Sequence, residues 1–175
     1  AEGLRVREHG GEFHDLDVAG RPATLAMITA IASITKHLGV VGTLSSTFNE
    51  PTELARQLAS IDHLSGGRVG WNVVTSPDAF HGANFRRGGF LPYDERYLRA
   101  EEFVQLAKAL WDSWDPEAIL GDRESGRFLD PSLVRSVTHH GPQFNIAATS
   151  TVPRSPQGYP VIVQAGDSPA GRDAR

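Results

Sequence analysis

The 175-residue chain contains no cysteine. No disulfide can staple it, so its stability rests on a packed core, which a chain of this length can bury. The absence fits a reducing compartment, and a cytoplasmic protein is expected. There is no basic tract either. Lys and Arg number 17 against 21 Asp and Glu, a net charge of −4, which argues against nucleic acid as a partner. No run is apolar enough to cross a membrane: residues 23–38 are interrupted by Thr24, Thr29, Ser33, Thr35, Lys36 and His37, short of the ~20 apolar residues a span needs. The sequence lacks a signal-peptide pattern, an internal repeat and a low-complexity segment. It also lacks a GxGxxG fingerprint, since "GGEFHDLDVAG" does not fit one. Its seven histidines show no metal-ligand spacing such as HxxxH, and the adjacent His139 and His140 cannot easily share one ion.

What is present is an alternation of two periodicities. Pro22 suits a first helical position. Leu25, Ile28, Ala32 and His37, thickened by Ile31, Ile34 and Leu38, then follow helical spacing as far as Gly39, a natural stop. "VVGTLSS" (40–46) reads as a strand. A second helix runs from Glu50-Pro51 to Ser65-Gly66-Gly67, with Leu54, Leu58 and Ile61 as its buried stripe. A strand follows over 68–75. Asp94 is placed to cap a third helix striped by Phe103, Leu106, Ala107, Leu110 and Trp114. Residues 115–138 read as a long, irregular, charged insertion of the kind that forms lids or partner surfaces. "HHGPQFNIAA" suggests a short hairpin, and 159–166 another apolar strand. Helix and strand alternating through tight loops predict an α/β fold with parallel strands and helical crossovers.

Three strands end alike, in "GTLSS", "WNVVTS" and "VQAGDS". Each runs apolar and then turns small and polar at its carboxyl end, where ligands of parallel α/β proteins bind. Small residues there let a flat ligand approach the backbone. The competing reading is that Ser and Thr simply cap the helices that follow.

The stretches "STFNEPTELARQLASIDHLSGGRVGWNVVTS", "NFRRGG" with "LPYDERYLRAEEFVQLAKALWDSW", and "PRSPQGYPVIVQAG" resemble the bacterial-luciferase-like flavin monooxygenases. The branch they are most similar to acts on nitrilotriacetate, EDTA and dibenzothiophene sulfone. The likeness runs from about Arg21 to Arg175. It implies part of a (β/α)8 TIM barrel, roughly strands three to five with their helices, forming one domain over 1–175 with an inserted loop and hairpin region at 115–150. It implies reduced FMN as cofactor, a separate NAD(P)H:flavin reductase as partner, and oxygenation of a small organic substrate by O2. A start at Ala1 without Met and a stop within "SPAGRDAR" suggest a piece of a longer bacterial protein. A partial barrel exposes edge strands and an open apolar face, so a homo-oligomer is expected. A deazaflavin (F420) oxidoreductase on the same fold and a non-catalytic barrel remnant are the alternatives.

By the same resemblance the flavin contacts fall at the end of the first strand, on Ser46 with Thr43 and Ser45 as neighbours. They fall also on Tyr93 and Tyr97, and in "AGDS" on Gly166 and Ser168. Asn72 joins them because an amide both donates and accepts, matching the flavin's pyrimidine-like ring. Tyr93 and Tyr97 are four apart at a helix start, on one side, where phenols and the helix dipole suit phosphate. Ser168 stands at another helix start, where free N–H groups favour the same ligand. Asn84, Arg86 and Arg87 are placed to attract an anionic substrate, Arg154 and Gln157 to shape the mouth, and His63 to tie a helix end to its loop. The plainer reading of "PRSPQG" is a turn built on its prolines. No general base can be named.

Overall fold

A computed structural model describes residues 10–12, 22–76 and 91–165. Three parallel strands form one sheet in the order β1 (Val40–Ser45), β2 (Val69–Val74), β7 (Val161–Val163). Among the described residues three α-helices accompany it: α1 (Thr24–Ile34), α2 (Pro51–Ser65) and α3 (Tyr93–Trp111). Between α3 and β7 stand two antiparallel hairpins, β3 (Ile119–Asp122) with β4 (Arg127–Leu129) and β5 (Val137–His140) with β6 (Asn145–Ala148). The α/β alternation and the parallel pairing agree with the sequence.

The two faces of the sheet differ, and the alternation of side chains along a strand explains how. Val69, Trp71 and Val73 of β2 are buried on the side where the helices pack. Trp71 donates its indole N–H to the Leu44 carbonyl at 3.1 Å and lies 5.5 Å, centroid to centroid, from Phe103 of α3. Phe103 in turn meets Phe144 of the second hairpin edge-on at 5.6 Å. These rings link sheet, helix and hairpin, and each contributes about 2–3 kcal/mol by burial. At Gly42 of β1 a methyl group would come 3.0 Å from Ile28 Cδ1 and 3.1 Å from Thr24 Cγ2, so the missing side chain lets α1 lie close on the strand. On the opposite face Val41, Val161 and Val163 are 53%, 56% and 39% exposed.

The structure departs from the sequence reading at helix ends and in the 115–138 stretch. Helix α1 ends at Ile34, five residues before Gly39, because Thr35 is extended (φ −113°, ψ 154°). The Arg68 guanidinium takes over its end, donating to the carbonyls of Ala32, Thr35 and Leu38. Ile34 and Leu38 are exposed and do not thicken the stripe, and His37 lies outside the helix. Helix α2 keeps its expected limits, stopped by Gly66 in the left-handed region (φ 66°). Helix α3 starts after Pro92 without a side-chain cap, so Asp94 lies inside its first turn. Trp114 lies beyond that helix and donates its indole N–H to Ser150 O at 2.8 Å. The 115–138 stretch is ordered rather than irregular. Asp122 turns the first hairpin by accepting the N–H groups of Glu124 and Ser125.

Candidate functional site

Register brings the polar strand ends together. Thr43 pairs with Asn72 and Ser45 with Val74, so Thr43, Ser45 and Asn72 lie on the open face of the sheet. Asn72 Nδ2 donates to Thr43 Oγ1 at 3.1 Å. Its Oδ1 is buried and, among the described residues, has no hydrogen-bond partner. Whichever way the amide is turned, one of its two ends is left over. A buried polar atom without a partner costs about 1–3 kcal/mol, and a ligand carrying an imide-like N–H next to a carbonyl would remove that cost. The pyrimidine-like edge of a flavin has that donor and acceptor pattern, so the residues present fit the group.

The serines at the end of β1 do something else. Ser45 Oγ accepts the Thr47 N–H, and its carbonyl accepts Asn49 Nδ2. Ser46 points the other way, toward the helices, and is fully buried. Its N–H and its hydroxyl both donate to Val74 O, at 2.9 Å and 3.3 Å. The Thr47 hydroxyl donates to Thr75 O at 2.8 Å. For Ser46 and Thr47 the hydroxyls therefore stitch the end of β1 to the end of β2, and what they offer a ligand is a fixed strand end.

Tyr93 and Tyr97 face each other at 4.9 Å in the first turns of α3. This helix start adjoins the strand ends through two buried arginines. Arg96 stacks 5.5 Å from the Tyr93 ring and reaches Thr75 O at 3.4 Å. Its Nε is buried without a partner among the described residues. Arg99, 1% exposed, donates to the carbonyls of Ser46, Thr47 and Asn49. Gly166, Asp167 and Ser168, like Asn84, Arg86 and Arg87, lie outside the described residues. A groove of about 630 Å³ runs between α3 and the β7 edge past Tyr97, Val104 and Ile162. Ile162 shares the helix-side face with Trp71, and Val163, which also lines the groove, pairs with Asn72.

Arg154 and Gln157 are not at the mouth. Gln157 donates to buried Asp62 and to Val69 O, at the amino end of β2. Arg154 pairs with Asp112 at the end of α3. Both hold the turn closed by Gly158 N–H to Ser155 O against the helices, which is the plainer of the two readings. His63 Nε2 donates to Pro153 O at 3.1 Å, tying the end of α2 to this distant turn and not to its own loop.

The sequence reading does not single out Arg96, Arg99 and Glu102, three charged residues that the structure buries. A signal was available: counting back from Phe103 by four and then three lands on Arg99 and Arg96, the same buried stripe. Glu102, also buried, accepts the ring N–H of His139 at 2.8 Å and the backbone N–H groups of Gln143 and Phe144. Burial alone would raise its carboxyl. The His139 bond and the two amides outweigh it and hold the group below its ordinary range. A lowered folded value means stability that is whole above the ordinary glutamate range and is lost as pH falls through the folded value. The Phe144 amide is accordingly expected to lose protection, its exchange measured relative to the unstructured-peptide rate at the same pH, as pH drops below about 4. Glu102→Gln should abolish that dependence, as hydrogen exchange followed against pH would reveal.

Comparison with known proteins shows the family of the chain. Residues 3–174 match the family of luciferase-like monooxygenases. Dibenzothiophene-sulfone monooxygenase of Rhodococcus erythropolis is 44% identical over 177 residues, 98% of this chain and 39% of the relative. Nitrilotriacetate monooxygenase component A of Aminobacter aminovorans is 44% identical over 147 residues, 84% of this chain and 32% of the relative. A riboflavin lyase solved with modified FMN and riboflavin superimposes with a TM-score of 0.84 at 37% identity, over 94% of this chain and 38% of that one. The chain thus spans about a third to two fifths of the length of such relatives. With a family match over nearly its whole length, the chain belongs to the luciferase-like monooxygenases.

Proposed function

We propose that the chain is the flavin-holding part of a reduced-FMN-dependent monooxygenase. Its three parallel strands and their helices would be roughly strands three to five of a (β/α)8 barrel, with 115–150 an insertion on one domain. The carrying observation is the spare amide end of Asn72 beside Thr43 on the open face. In this reading Asn72 and Thr43 meet the ring edge of the flavin. Ser45 and Ser46 fix the strand end beside it. Tyr93 and Tyr97 at the start of α3, with Gly166 and Ser168, hold the phosphate. Reduced FMN supplies the reactivity toward O2 when bound; the chain's own groups bind it, orient it and keep water out. The reductant comes from a separate NAD(P)H:flavin reductase, the substrate is a small organic molecule, and the protein works in the cytoplasm as a homo-oligomer.

The test supplies the native protein with FMN, NADH, a flavin reductase and O2. Dibenzothiophene sulfone and nitrilotriacetate serve as probe substrates. Oxygenated product that depends on FMN is expected from one of them. Anaerobic hydride transfer from reduced F420, with no FMN-dependent product, would instead place the chain with the deazaflavin enzymes.

A further inference from the structure

The Arg99 guanidinium lies between two parts of the chain that are far apart in sequence. On one side it donates to the carbonyls of Ser46, Thr47 and Asn49, the loop that leaves β1. On the other it lies 4.1 Å from the centroid of the Phe144 ring, in the turn of the β5–β6 hairpin. Its carboxylate neighbour from that loop, Glu50, is 3.8 Å away and largely solvated. One turn further along α3, Glu102 accepts the Phe144 backbone N–H at 2.9 Å. Phe144 is therefore gripped twice by one helix, its ring by Arg99 and its amide by Glu102. A guanidinium held between a π face and three carbonyls has little freedom, because its planar fork satisfies both only in one orientation.

We infer that Arg99 is a positioning residue: it locks the Ser46–Asn49 loop in place, and the docked hairpin holds Arg99 in the orientation that does so. The hairpin is then part of the apparatus that shapes the strand end, not an independent lid. Its docking sets how rigid the loop is. The consequence for flavin affinity rests on the function proposed above; the consequence for the loop does not.

The experiment uses hydrogen exchange of the Ser46 and Thr47 amides in the native protein, without flavin. Both amides are hydrogen-bonded, to Val74 O and to Ser45 Oγ, and so report local opening. Arg99→Lys keeps the charge but cannot fork to three carbonyls. Phe144→Leu keeps an apolar side chain but removes the ring over the guanidinium. Arg99→Lys is expected to speed exchange at both amides by about ten- to a hundredfold. Phe144→Leu should do so by about threefold to tenfold. The α2 amides should keep their protection and the melting transition should stay cooperative. Unchanged loop exchange in Arg99→Lys would overturn the inference. So would a Phe144→Leu effect confined to the hairpin, or a uniform loss of protection throughout the chain. Reduced-FMN affinity is then measured on the same variants. Faster loop exchange with unaltered affinity upholds the positioning role and removes only the flavin reading of this loop.

Discussion

Trp71→Ala is expected to lower the stability of the protein by about 3–5 kcal/mol, the usual range for emptying a buried aromatic site. The indole is fully buried between the sheet and α3, so the cavity opens on Phe103 and through it on the Phe103–Phe144 contact. The substitution also removes the indole donor to the Leu44 carbonyl, on the strand that carries Thr43 and Ser45. Trp71→Phe should recover most of the loss, because a smaller ring still meets Phe103 while the bond to Leu44 O stays broken. Urea unfolding of the native protein measures both. A loss below about 1 kcal/mol for the alanine variant would mean that sheet and helix do not depend on this contact.

Asn72→Leu should act in the opposite sense on stability and strongly on binding. The side chain leaves a polar atom buried without a partner, so an apolar replacement of similar size is expected to leave the melting temperature unchanged or raise it. Reduced-FMN affinity should fall by about ten- to a hundredfold, since the flavin edge then meets a methyl group where the amide stood. Few structural residues combine neutral or gained stability with lost binding; it is the mark of a group kept for a ligand. Asn72→Leu that lost stability without losing flavin would make Asn72 an ordinary sheet residue. Thr43→Val tests the same pair more gently, removing the acceptor of the Asn72 amide with little change in volume.

Much of this architecture was legible in the sequence because its elements follow simple periodicities. The stripe Leu54, Leu58, Ile61 and the stop at Gly66 define α2, and the apolar runs at 40 and 69 define the two strands. The register of Thr43 against Asn72 was not legible. A polar strand end says only that a group is there, and one residue of register turns a side chain to the other face. That rule separates Ser45 from Ser46, adjacent serines of which one faces the open side and the other is buried against β2. The buried charges escaped for a different reason. Arg99 and Glu102 are buried because distant segments, the β1 loop and the β5–β6 turn, supply carbonyls and amides to them, and such partners cannot be read from a helix alone. The end of α1 was misplaced for the same cause, since it is set by Arg68, 34 positions after Ile34.

The most direct test of the account is an anaerobic titration of the native protein, its intact mass determined beforehand, with reduced FMN. The account predicts saturable binding in the micromolar range at one flavin per chain, weakened in Asn72→Leu and in Tyr97→Phe. No binding at millimolar flavin, or equal binding by the native protein and both variants, would contradict it.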